Sequence, residues 1–127
     1  MRLKENEEEL HRVINIFKFK RYSLSPSEVT HETETKLAAF YTEKYLDALQ
    51  KVGTELASTE LQPADDLAFL ATNSLVSLWK LTADDGYLCT AATLLEYVLT
   101  RSKQSFLARL LLVRIYRLLG VSIDHGL

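Results

Sequence analysis

The sequence predicts an all-α fold of antiparallel helix pairs, stacked as in an α-solenoid and incomplete at the C-terminal end. Apolar residues recur at three- and four-residue steps along most of the chain, and no segment alternates with period two for more than a few residues. Short polar breaks separate these stretches. With only four Gly and two Pro in 127 residues, few other turn formers remain, so helices should dominate. The last periodic stretch is apolar around most of its circumference, which marks a helix built to have neighbours on more than one side.

The first helix is expected from Lys4 to about Lys20, where Leu10, Val13, Ile14 and Phe17 share one face. It closes on Lys18, Lys20 and Arg21, cations that suit the negative end of a helix dipole better than they suit a targeting signal. Ser25-Pro26-Ser27-Glu28 is a start signal: a serine cap, a proline in the first turn, and a glutamate placed to complete a capping box. The helix it opens should run from Pro26 to about Val52, with Leu37, Phe40, Tyr41, Tyr45 and Leu49 as its apolar stripe and Gly53 as a left-handed cap. His31 reads as an exposed polar histidine with no second ligand nearby.

Gln62-Pro63-Ala64-Asp65-Asp66 is the next start, its two acids standing where a helix N-terminus favours negative charge. Capping explains Asp65 and Asp66 more economically than acid–base chemistry does. Leu67, Leu70, Ala71, Leu75, Leu78 and Trp79 follow at helical steps, with Ala71 small where a neighbouring helix comes close. Thr82 to Gly86 breaks this helix, and Tyr87 to about Arg101 forms its antiparallel partner.

On that partner Ala91, Leu95 and Val98 have the spacing by which the inner helix of a tetratricopeptide-type pair packs on its mate. After the polar break at Arg101-Ser102-Lys103-Gln104, a further helix to Leu119 brings Leu112 and Tyr116 onto one stripe and ends at Gly120. Arg109, Arg114 and Arg117 occupy a sector of roughly 140° on an ideal helix, with Leu110 and Val113 intruding. A repeat helix cannot bury its apolar face alone, so Leu112, Ile115 and Leu119 should be partly bare. Self-association through this C-terminal helix is then expected. The chain divides into an amphipathic N-terminal helix (1–22), a tetratricopeptide-like segment (23–120) and an unstructured tail (121–127).

The net charge of −2 offers no bulk argument for nucleic acid or an anionic membrane. Its distribution is uneven: Glu5, Glu7, Glu8 and Glu9 make the start acidic, and Arg101, Lys103, Arg109, Arg114 and Arg117 make the last third basic. Both solvated helix faces and a partner-facing surface, centred on Arg109, Arg114 and Arg117, account for that. The single Cys89 has no second thiol for a disulfide or zinc site and reads as a small core filler. No apolar run approaches the ~18 residues of a membrane span, and the acidic start resembles neither a secretory signal nor a mitochondrial presequence. A reducing, cytoplasmic setting is expected.

No active site is legible. The glycines are scattered, with Gly53, Gly86 and Gly120 at helix ends, and His11, His31 and His125 are too dispersed for a metal constellation with Cys89. The expectation is a non-enzymatic interaction module without cofactor or metal.

From Gln62 to Gly120 the string QPADDLAFLATNSLVSLWKLTADDGYLCTAATLLEYVLTRSKQSFLARLLLVRIYRLLG resembles the auxiliary, non-catalytic subunit of the N-terminal acetyltransferase B (NatB) complex in its fungal form. PADDL with the helix that follows, YL…A..LLEY.LT.SKQS, and LLLVRIYRLLG carry the match over a little under half of the chain. Leu24 to Thr59 is compatible with the preceding family segment. The resemblance implies part of a longer superhelix of tetratricopeptide-like repeats that wraps a catalytic N-terminal acetyltransferase subunit. That partner transfers acetyl from acetyl-CoA to nascent chains beginning Met-Asp, Met-Glu, Met-Asn or Met-Gln. The auxiliary subunit supports its stability and activity and helps ribosome association. By this resemblance the chain is scaffold and binds no acetyl-CoA itself. Beyond Gly120, where the family continues into further repeats, Val121 to Leu127 departs from the pattern, as a truncated form would. The alternative is a generic helical-repeat module for peptide binding or assembly, with no link to acetylation.

Overall fold

A computed structural model describes residues 2–51 and 62–120, with side chains from Glu7 onward in the first helix. Five α-helices follow one another: α1 Arg2–Tyr22, α2 His31–Lys51, α3 Asp65–Thr82, α4 Gly86–Arg101 and α5 Phe106–Leu118. No strand occurs among the described residues. The expected cap at Gly53 and the expected tail from Val121 to Leu127 lie outside them.

From α2 onward, helices adjacent in sequence are packed against each other. The α2 helix packs on α3, α3 on α4 and α4 on α5, while α1 lies against α3. This is the stacking of a helical solenoid, in which each element is stabilised chiefly by its neighbours. Two apolar clusters fill the layers. One gathers Ile14, Tyr41, Tyr45, Leu67, Leu70 and Val98. The other gathers Leu75, Leu78, Leu88, Leu95 and Ile115, and Phe69 packs against both. Phe17 joins α1 to α2 by meeting the Phe40 ring edge-on at 5.1 Å, a geometry aromatic quadrupoles favour.

The turn chemistry explains the breaks, and in one place corrects the expected element. Glu28 does accept hydrogen bonds from the Ser25 backbone N–H (3.0 Å) and hydroxyl (2.8 Å). The helix so capped is only a 3₁₀ turn, Pro26–Glu28, because Val29 leaves helical space at φ −89°, ψ 84°. The next helix starts afresh, with the Thr30 hydroxyl accepting the Thr33 N–H at 3.1 Å. A serine–proline start and a threonine cap thus lie in series, five residues apart, where the sequence reads as one long helix.

At the end of α3, Ala83 adopts φ +60° and its N–H closes on the Trp79 carbonyl at 2.7 Å. The Thr82 hydroxyl then accepts the Asp84 N–H, and the Asp84 carboxylate accepts the Gly86 N–H at 2.8 Å. The α4–α5 turn is tied differently. The Ser102 N–H caps Val98, its hydroxyl accepts the Gln62 N–H at 3.0 Å, and Gln62 Nε2 donates to the Arg101 carbonyl. Ser105 then caps α5 by accepting the Ala108 N–H. The polar break after Arg101 is a buried corner that also clamps the entry to α3, with Ser102 fully enclosed.

Two burial expectations are overturned. Cys89 is exposed and not a core filler: Leu88, Ala91, Ala92 and Leu95 set the inward face of α4, and the position after Leu88 is turned away from it by the helical step. Ile115 is buried at 2% exposure, enclosed by α3 and α4. Leu112 and Leu119 are only partly covered. The bare apolar side chains of α5 are instead Phe106, Leu107, Leu110 and Leu118.

Candidate functional site

Leu67, Leu70, Ala71 and Leu75 on α3, and Ala91, Leu95 and Val98 on α4, are all buried, at 6% exposure or less. Leu112 and Tyr116 are half-buried on α5, and Tyr116 donates its hydroxyl to the Glu96 carboxylate on α4. Gly120 lies exposed just past α5 at φ +79°, a conformation that glycine adopts without the Cβ penalty.

Arg109, Arg114 and Arg117 are all exposed, but they do not act as one patch. Arg109 turns back to donate to the Lys103 carbonyl in the preceding turn. Arg114 and Arg117 face a hollow of about 510 Å³ between α3 and α5, where Lys80 and Asn73 of α3 join them. Trp79, Val76 and Leu118 supply its apolar wall, and among the described residues no Asp or Glu lines it. None of the three cations has a carboxylate partner among the described residues.

A second hollow continues on the other side of Phe69, between the first turn of α3 and the first turn of α5. The N-terminal turns of the two helices share this hollow and their later turns share the first, so α3 and α5 run side by side in one direction. The second hollow has Phe106 and Leu107 on one wall and Glu7, Asp66 and the buried Asp65 opposite. The groove along α3 and α5 is therefore cationic at one end only.

Three polar features went unread in the sequence. Arg21, by sequence a cation suited to a helix C-terminus, is buried at 8% exposure and forks onto the fully buried Glu34 through both terminal nitrogens. Its Nε donates to Asn73 Oδ1 at 2.9 Å, so one guanidinium ties α1 to α2 and α3. Lys18 likewise reaches Asp66 at 2.7 Å. The expected capping role therefore fails for both acids. Asp66 is an interhelical ion-pair partner, and Asp65 points inward at 5% exposure with no normal hydrogen bond to either carboxylate oxygen. Burial pushes Asp65 up to about 6, although the nearby Ser102 hydroxyl pulls it the other way. Above it lies Tyr45, fully enclosed and without a partner for its hydroxyl, also pushed up by burial. No local pattern flags Arg21, Glu34 or Asp65. Each is polar at a position whose neighbours in three dimensions come from elsewhere in the chain.

Among the described residues no group of His, Cys, Asp or Glu is arranged to hold a metal ion, and no helix is long and apolar enough to cross a membrane. His31 donates to or accepts from the Tyr87 hydroxyl at 3.1 Å, an exposed contact between α2 and α4.

Over residues 2–123 the chain matches the family described as N-acetyltransferase B complex (NatB) non catalytic subunit. Among characterised proteins it is similar to human N-alpha-acetyltransferase 25, NatB auxiliary subunit, with 43% identity over 68 residues, 54% of this chain and 7% of that protein. The corresponding subunit of Rattus norvegicus is 40% identical over 68 residues, again 54% of this chain and 7% of its own length. The phagocyte signaling-impaired protein of Drosophila pseudoobscura is 37% identical over 87 residues, 66% of this chain and 9% of that protein. The chain thus spans less than a tenth of the curated relatives it matches.

Proposed function

The chain belongs to the family of non-catalytic NatB subunits, and on that premise we propose that it is a scaffold segment supporting N-terminal acetylation by a separate catalytic subunit. The observation that carries this reading is the fold itself: stacked helices, each half-covered by its neighbours, whose polar groups go into ties between helices. Such a stack presents a long surface and, among the described residues, no metal-holding cluster. The tetratricopeptide-like pairing of α3 with α4, and the packing roles of Leu67, Leu70, Ala71, Leu75, Ala91, Leu95, Val98, Leu112, Tyr116 and Gly120, belong to the same reading.

A catalytic acetyltransferase subunit is the proposed partner. The cytoplasm is the proposed setting, and the ribosome a further contact of the assembled complex. The exposed cations of α5, Arg114 and Arg117 above all, are the proposed partner-facing edge. Co-expression of the tagged chain, and of a longer polypeptide from the same gene, with the catalytic subunit of the same organism tests this. Retention of the enzyme by either, with acetylation of a peptide beginning Met-Asp or Met-Glu, is expected. Failure of both forms to retain it would remove the proposal.

A further inference from the structure

The groove between α3 and α5 has a chemistry that packing alone does not account for. Lys80, Arg114 and Arg117 converge on one hollow from two helices, with Asn73 beside them and no carboxylate of the described residues in its lining. Four cations elsewhere do pair with carboxylates, Arg12 with Glu9, Lys18 with Asp66, Arg21 with Glu34 and Lys36 with Glu32, whereas these three share one hollow without such a partner among the described residues. Like charges brought together repel, so a trio without carboxylate partners among the described residues raises the local potential for an anion at a concave site. Asp85 and Glu96 stand outside that lining and are engaged elsewhere: Asp85 accepts the Trp79 indole N–H and Glu96 accepts the Tyr116 hydroxyl.

The walls decide which anion. A phosphate backbone asks for a broad polar surface, and base stacking for exposed aromatic faces. Here the cations ring a hollow walled by Val76, Leu118 and the half-buried Trp79. Past Phe69 the groove turns apolar and acidic, with Phe106 exposed on one rim and Glu7 on the other. A polynucleotide laid along it would meet carboxylates at one end. A polypeptide with carboxylates at one end and apolar anchors along its length would meet complementary groups throughout.

We infer that the α3–α5 groove is a docking site for an acidic, apolar-anchored polypeptide segment of a partner. The segment lies along the groove with its carboxylates on Lys80, Arg114 and Arg117 and its apolar side chains toward Phe69 and Leu107. Arg109, tied to its own turn, takes no part. This holds whether or not the partner is an acetyltransferase.

The test uses the whole chain and a fluorescein-labelled dodecapeptide with its Glu residues confined to one half and Leu residues spaced along its length, read by anisotropy. Binding is expected to weaken about tenfold or more on Arg114→Glu with Arg117→Glu, as lost charge-assisted contacts become repulsive. It is expected to weaken likewise as salt is raised. Arg109→Glu, equally exposed and of equal charge change, should leave it unaltered, and circular dichroism should show the same helix content for every variant. Equal affinity for the Lys–Leu counterpart, tighter binding of a single-stranded RNA dodecamer, or the same loss from Arg109→Glu would each overturn the inference. So would a dimer that Arg114→Glu disperses, because the groove would then hold a second copy of the chain.

Discussion

Arg21 shows how far one side chain can be removed from its apparent role. It ends a helix where a cation is ordinarily a solvated complement to the dipole, yet it is buried and forks onto Glu34. A paired charge in a low-dielectric site contributes little net stability, but leaving one partner alone is costly. Arg21→Met is therefore expected to destabilise the chain by about 3–5 kcal/mol. The double change Arg21→Met with Glu34→Leu should recover most of that loss in urea denaturation, and an unrecovered double variant would contradict the account. Asp65 makes the opposite case, a buried acid without a normal partner. Its raised value means that the folded chain holds a proton which the unfolded chain has already lost between 3.8 and about 6. Stability should then fall as pH rises through that window, because the unfolded state binds fewer protons there. Asp65→Asn is expected to flatten that slope and to stabilise the chain at neutral pH by on the order of 1–3 kcal/mol. Parallel pH–stability curves for the two proteins would rule this out. Neither residue is readable as buried from its neighbours in the chain. Glu34 sits in a run of Thr and Glu, and Asp65 stands beside a second aspartate that is half-exposed.

The helices themselves were mostly readable. Periodicity located all five, and the structure moves their ends by a few residues, the usual uncertainty of fraying termini. Capping chemistry was less faithful. Ser25 and Glu28 make the contacts a capping box requires, yet the turn they open is abandoned at Val29 and Thr30 caps the real α2. A capping motif guarantees a first turn, while continuation depends on what the later turns pack against. Ser105 is the opposite case, a cap at a position just past the polar break that ends at Gln104, where the sequence reads as helix. Its hydroxyl accepts the Ala108 N–H, and its own N–H closes on Ser102 in a buried corner. Ser105→Ala is expected to cost about 1 kcal/mol, seen as a lower melting temperature with α5 amides exchanging faster. Unchanged exchange in α5 would refute the cap.

For the stack as a whole, neighbour-on-neighbour contact leaves Phe106, Leu107, Leu110 and Leu118 of α5 exposed, three of them along the hollows it shares with α3. Clustered apolar surface of this kind favours association. The isolated chain is expected to sediment as a mixture of monomer and larger species, and Leu107→Glu with Leu110→Glu to shift it toward monomer. A monodisperse wild-type chain that binds no apolar dye would count against this. Composition, periodicity and break chemistry were sufficient for the all-α class and the order of the helices, because these depend on local order along the chain; the family was legible only through the resemblance of the Gln62–Gly120 string. Which polar groups are entombed, why Arg109 parts company with Arg114 and Arg117, and that Lys80 completes their site are matters of contact between segments up to dozens of residues apart. Helical phase gives a side chain's angle on its own rod, but its surroundings follow from how the rods are stacked, and that is set by all the interfaces together.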